Sequence, residues 1–283
     1  MIIMVAFCWG SSCLVTKFAL DDLQALNLIA VRFLIGFALA FVILFRKLTF
    51  DQKTLRYSAA VSANYCIVMA LMTFGVQYTT VSKSGLLTCL AGVFVPIINV
   101  LVFKKKIGFK TAICAAVTFI GIYILTMGGV NESFGINLGD VLCTLCSLFF
   151  AIHLMLIGYI VKRVDAVSLT VFQIGFVGFY NLIASFLLES PRLPSTMESW
   201  FSILWLGVIC GVVAMILQNT ALKYTTDIHA GIIFTLEPVF ALILAYAFLG
   251  ETLTFAGYIG AAIIVACIVL LELGTHIPKD PVT

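Results

Sequence analysis

YTTVSKSGLLTCLAGVF, residues 78–94, comes back as YTTDIHAGIIFTLEPVF at residues 224–240. At this constant offset of 146 residues, Tyr78-Thr79-Thr80 faces Tyr224-Thr225-Thr226, Gly85 faces Gly231, Leu90 faces Leu236, and Val93-Phe94 faces Val239-Phe240. One supersecondary unit is therefore expected twice. The chain around it has 283 residues, 63% of them hydrophobic and 10% charged, with a mean hydropathy of +1.18. Soluble domains average about 45–50% apolar and about 25% charged residues, so a water-soluble protein is excluded. A net charge of +3 spread over so apolar a chain is neither a disordered tail nor a nucleic-acid-binding patch. The apolar runs are continuous and about twice the roughly 10-residue length of an alternating transmembrane strand, which leaves an all-α polytopic membrane protein.

Breaking the chain at its charged and Gly/Pro-bearing connections predicts ten transmembrane helices. They lie near 2–20, 25–45, 57–77, 83–103, 108–128, 137–161, 166–188, 199–222, 228–249 and 254–273. Five spans in each half, 1–130 and 131–283, make the second copy enter the membrane from the opposite side. The halves then read as inverted five-helix repeats. One alternate set of connections carries Arg46, Lys47, Lys53, Arg56, Lys104, Lys105, Lys106, Lys110, Lys162, Arg163, Lys223 and Lys279, whereas the other holds only Lys17, Lys83 and Arg192. That asymmetry puts both termini in the cytoplasm, with the protein in a plasma or inner membrane. Asp21, Asp22, Glu132, Glu189, Glu198 and Glu251 fall on the other side. Met1–Leu20 has no basic n-region or cleavage site and reads as a retained first helix, starting so abruptly that a short polar extension ahead of it is expected. The nine cysteines all lie in apolar runs and read as small buried hydrophobes.

Several segments together resemble the EamA branch of the drug/metabolite transporter superfamily over nearly the whole chain. Cys8-Trp9-Gly10-Ser11-Ser12 with Lys17 is similar to that family's opening, and Ala30-Val31-Arg32-Phe33-Leu34 to its second helix. Ala221-Leu222-Lys223-Tyr224-Thr225-Thr226, Leu236-Glu237-Pro238-Val239-Phe240, Leu249-Gly250-Glu251, Gly257 and Gly260 resemble its eighth to tenth helices in order and spacing. The first copy departs from this pattern, with Lys104 and Lys105 aligned to Gly250 and Glu251, and Pro96 four residues beyond the position of Pro238. The resemblance implies ten helices, alternating access, and a pathway lined by helices one, three, four, six, eight and nine.

Ionisable residues deep in a span face a bundle interior or a water-filled cavity, because charge in hydrocarbon is costly. Glu237, in the ninth span, reads either as a cation or proton site and partner for a substrate amine, or as a carboxyl beside the backbone break at Pro238. Arg32, in the outer half of the second span, either snorkels to the interface or pairs with Asp21, Asp22 or Glu237, and a structural ion pair is the favoured reading. His153, in the sixth span, is either a titrating or substrate-binding group or a satisfied interior histidine. Cys143, Cys146 and His153 share a helical stripe but lack a fourth ligand with recognisable spacing, so no metal or other cofactor is expected. Gly207 and Gly211 form a GxxxG that reads as close helix packing. Trp9, Asn64, Tyr65, Thr88, Gln218, Asn219 and Thr235 complete the candidate substrate-binding set with His153 and Glu237. Asn64 and Tyr65 share a face with Met69, Met72 and Thr73, a wall suited to an amphipathic ligand.

The expected function is secondary transport of small amphipathic metabolites, amino acids or drug-like compounds, by export or exchange, with a coupling proton or ion left open. No GxxxxGK[ST] element is present for ATP, and no HExxH or Gly-x-Ser-x-Gly for an intramembrane enzyme. A channel is disfavoured by the inverted repeat, and uptake remains the alternative direction.

Overall fold

The computed structural model describes residues 2–103, 109–128, 136–224 and 237–274. Its first three helices are α1 (Ile2–Ala19), α2 (Ala25–Leu44) and α3 (Gln52–Tyr78). The fourth span is two helices, α4 (Val81–Thr88) and α5 (Ala91–Phe103), followed by α6 (Phe109–Gly128), α7 (Leu138–Ile160) and α8 (Ala166–Leu188). The eighth span runs through α9 (Met197–Leu204), a π-helical stretch (Trp205–Val213) and α10 (Ala214–Tyr224). The ninth is described as α11 (Glu237–Leu249) and the tenth as α12 (Phe255–Gly274). This is the expected all-helical arrangement of ten spans, and five of the described spans are each long and apolar enough by themselves to cross a bilayer.

Three local departures have physical causes. The third span starts at Gln52, earlier than hydropathy suggested, because Asp51 caps it by accepting from Thr54 N at 3.1 Å. The fourth span breaks at Cys89-Leu90 without Gly or Pro. Thr88 Oγ1 bonds back to the Ser84 and Gly85 carbonyls, and the backbone tightens into i→i+3 bonds through Leu90 and Gly92. In the eighth span the helix widens over Trp205–Val213, a stretch containing both glycines of the GxxxG. Gly207 has no side chain because one would strike the Arg32 carbonyl, and a Cβ on Gly36 would lie 2.6 Å from the Gly207 carbonyl oxygen. The packing reading of that motif is correct at Gly207, whereas Gly211 faces a cavity.

In the bundle α2 packs on α8, α6 on α12, α3 on both α7 and α8, α1 on α11 and on the π-helical span, and α4 and α5 on α7. The connections gather at two ends, here called basic and acidic after their side chains. The acidic end is laced together by polar bonds. Glu189 accepts from Leu26 N and Asn27 N at 2.9 and 2.8 Å, capping α2 from the end of α8. Glu251 caps α4 in the same way, accepting from Val81 N, Ser82 N and Ser82 Oγ at 3.0, 2.8 and 2.7 Å. Asp22 accepts from Ser195 N and Oγ, and Arg192 donates to its backbone carbonyl. The Ser195 hydrogen bonds hold the Asp22 carboxyl down to about 2.

Candidate functional site

A chamber opens where α1, α2, α3, α4, α7, the π-helical stretch and α11 converge. Trp9, Tyr65, Thr88 and Glu237 line it, as do Ser12, Arg32, Phe33, Met69, Met72, Cys146, Phe150 and Gly211. It offers about 60 Å³ to the centres of water-sized molecules. At roughly 10–15 Å³ per water on that measure, it has room for several waters or part of a small solute.

One wall is aromatic. Trp9 meets Phe150 edge-on at 5.8 Å, Phe150 stacks on His153 at 6.1 Å, His153 lies 4.5 Å from Tyr65, and Tyr65 meets Phe33 edge-on at 6.2 Å. Trp9 is fixed by donating its Nε1–H to the Cys210 carbonyl at 3.2 Å, a carbonyl of the π-helical stretch. Trp205 is likewise held by donation to Ser11 Oγ at 2.9 Å. The widened helix therefore orients the α1 face that looks into the chamber.

Two ionisable side chains share this space. Arg32 is 4% exposed, sits over the Phe33 ring at 5.0 Å, donates from Nη2 to the Met69 sulfur at 3.1 Å, and has a buried Nε without a partner. The ion pair expected for it with Asp21, Asp22 or Glu237 is not formed. Asp22 is taken up by Ser195 and Arg192, and among the described residues Arg32 makes no salt bridge. Glu237 is 8% exposed and has no side-chain partner among the described residues. Its backbone is pinned by Gly10, where a Cβ would come within 2.7 Å of the Glu237 carbonyl oxygen and of Phe240 Cβ. Such close α1–α11 contact leaves the Glu237 side chain to face the chamber.

The other candidate residues occupy different places. Asn64 donates to the Phe149 carbonyl at 3.2 Å and ties α3 to α7. His153 stands behind the aromatic wall, its Nε2 3.3 Å from Gln173 Nε2. Asn219 donates to Thr170 Oγ1 at 2.9 Å, and Gln218 is buried with Nε2 unpartnered. Thr73 is buried and does not line the chamber, while Thr235 lies outside the described residues. Cys146 Sγ contacts the Val68 carbonyl at 3.4 Å, and Cys143 packs on Gly75 at the α3–α7 crossing. Among the described residues no three of His, Cys, Asp and Glu come together as a metal site.

Two model segments of the EamA-like transporter family match this chain, over residues 1–127 and 137–273. The chain belongs to the EamA-like transporter family. It is thus an integral membrane transporter, of the drug/metabolite superfamily, and not a member of an enzyme family. An uncharacterized transporter of Archaeoglobus fulgidus is 30% identical over 278 residues, covering 95% of this chain and 84% of its own. The uncharacterized transporter YetK of Bacillus subtilis is 22% identical over 272 residues, covering 90% and 81%. A crystal structure of another protein superposes with a TM-score of 0.71 at 16% identity, covering 96% of this chain and 95% of that one, a likeness of fold alone.

Proposed function

We propose that this transporter moves small amphipathic metabolites by alternating access, as an exporter or exchanger, and that the molecule it binds is a zwitterion such as an amino acid. The observation that carries this reading is the presence of Arg32 and Glu237 on one chamber, unpaired with each other, beside an aromatic wall. Buried charges persist at such cost when a ligand completes them. A carboxylate would take the Arg32 guanidinium as a charge-assisted partner, an ammonium would take Glu237, and the apolar part would lie on Trp9, Phe150 and Tyr65.

Alternating access is supported by a regularity of packing. Exchange each span with its counterpart five spans on, and the contacts map onto one another. The α2–α8 and α6–α12 pairs map onto themselves, α3–α7 maps onto the eighth span with α1, and α4/α5–α7 maps onto α11–α1. Repeats at 1–130 and 131–283 related in this way can exchange conformations around a central site. The distribution of Lys and Arg supports cytoplasmic termini, with the acidic end outside.

Thermal unfolding of purified protein with matched ligands tests the substrate class. An aromatic or large aliphatic amino acid should raise the midpoint more than the corresponding amine or carboxylic acid at equal concentration, contributing itself about 2.7 kcal/mol of linkage at a hundred times its Kd. Equal shifts from the lone amine would refute a role for Arg32, and equal shifts from the lone acid a role for Glu237.

A further inference from the structure

The one buried ion pair among the described residues lies outside the chamber. Lys83 Nζ is 3.3 Å from Asp140 Oδ2, with the side chains 3% and 1% exposed. Thr79 Oγ1 donates to the other carboxylate oxygen at 2.5 Å, and Asn137 Nδ2 donates to that hydroxyl at 3.3 Å. Asn137 and Asp140 also form a reciprocal capping box, so the carboxylate is fixed to the first turn of α7. The pair thus joins the start of α4 to the start of α7.

Its position relative to the chamber is set by helix geometry. Thr88 follows Lys83 by five residues on α4, and Cys146 follows Asp140 by six on α7, and both line the chamber. At about 1.5 Å per residue, the pair sits roughly 7–9 Å along the helices from these chamber residues, toward the acidic end. Between the pair and the chamber lie the buried Leu86, Leu87 and Cys143, so access from the acidic end requires these two helix ends to separate. The α3–α4 turn has further polar ties, beside the apolar packing of Val76 and Val81 on Cys13, Leu14 and Ala245 and the close backbone approach of Gly139. Lys17 Nζ donates to the Val76 and Thr79 carbonyls at 2.8 and 3.0 Å, and Glu251 holds the first amides of α4. Polar bonds at helix ends can be exchanged for water, so the Lys83–Asp140 and Thr79–Asp140 bonds are the part of this contact that can break and reform at least cost. A buried pair of this kind adds little net stability yet strongly penalises states in which one partner is buried alone.

We propose that Lys83 and Asp140, braced by Thr79, form a latch that keeps the chamber closed at the acidic end and releases when the chamber opens there. The proposal rests on the alternating-access reading. The turn it grips, Tyr78-Thr79-Thr80, is the segment repeated at Tyr224-Thr225-Thr226, although His229, which aligns with Lys83, lies outside the described residues.

The test uses the full chain with its nine cysteines replaced and a single reporter, Thr88→Cys, in sealed vesicles of either orientation. The probe is a membrane-impermeant maleimide added at one face at a time. Lys83→Met and Asp140→Asn should each speed labelling from the acidic end by at least about tenfold, and the exchange Lys83→Asp with Asp140→Lys should bring it back toward the parent rate. Asp140→Asn is close to isosteric and keeps the test valid should Lys83→Met fail to yield monodisperse protein. Unchanged labelling from the acidic end, with normal labelling from the basic end, would overturn the latch and leave the transporter reading standing. A reporter unreachable from both faces in every variant would overturn the latch and alternating access together.

Discussion

Replacing Arg32 by Met should stabilise the protein while destroying ligand binding. Arg32 is 4% exposed, lies seven residues into α2, and has only the Met69 sulfur and the Phe33 ring as polar or π partners among the described residues. A guanidinium so placed forgoes hydration without an ion pair to offset it. Insertion scales put Arg near a helix centre at about 2.5–3.5 kcal/mol, and exchanging buried ionic groups for apolar ones of similar volume gains about 1–4 kcal/mol. Methionine fills much of the same volume beside Met69 and Phe33. A gain of roughly 2 kcal/mol raises the unfolding midpoint by about 4–8 °C in a chain of this size. Losing one partner of a desolvated charge contact costs about 2–5 kcal/mol of affinity, or roughly 30-fold to several thousand-fold in Kd. Unfolding followed by fluorescence of Trp9, Trp200 and Trp205, and calorimetric titration of the best amino acid from the thermal panel, supply the two numbers. A midpoint lowered by several degrees, with affinity kept, would refute the reasoning and make Arg32 a structural brace.

Glu237→Gln separates three roles: lost pH-driven accumulation with exchange preserved indicates a coupling proton, lost binding indicates recognition of an ammonium, and two near-normal activities indicate bracing of the Pro238 break. The account predicts lost binding. Glu251→Gln should lower thermal stability by about 1 kcal/mol, because three bonds to the start of α4 weaken, and thermal unfolding reads this directly. The lowered pKa of Asp22 makes its tie to Ser195 a contribution fully present above about pH 4 and lost as pH falls toward 2. Asp22→Asn should therefore lower the unfolding midpoint at neutral pH and make little difference near pH 2. Cysteines at 105 and 132, positions outside the described residues, should label only from the cytoplasm and only from outside respectively, and labelling of both from one side would contradict the inverted topology.

The fold was largely legible because apolar runs of membrane length and a repeated segment are statements about solvent and symmetry, which a sequence carries openly. Breaks inside the spans were not: Cys89-Leu90 and Trp205–Val213 are as apolar as their neighbours, and only Gly207 and Gly211 hinted at the second. At the site, Trp9, Tyr65, Thr88 and Glu237 were readable as polar or amphipathic groups in hydrocarbon, and the structure brings them to one chamber. Phe150 and Cys146 carry no such signal, since an apolar residue on a cavity looks like one on lipid. Arg32 drew notice as half of an ion pair because sequence supplies candidate partners but not their directions. Asp140 is legible as a capping-box acid, three residues after Asn137 at the start of a span, but its pairing with Lys83 is not, because the two lie 57 residues apart. Glu189 and Glu251 counted only as loop charges until their distances to α2 and α4 amides made them caps.

Counterflow in proteoliposomes tests the central claim most directly. Vesicles preloaded with an unlabelled amino acid that raises the unfolding midpoint are diluted into the labelled compound, and its accumulation is followed against an empty-vesicle control. Saturable, transient accumulation that vanishes in Arg32→Met and is not competed by the lone amine is the result expected of an alternating-access carrier with Arg32 and Glu237 at its centre. Accumulation that is unaffected by Arg32→Met, or flux that rises linearly with concentration without saturating, would contradict it.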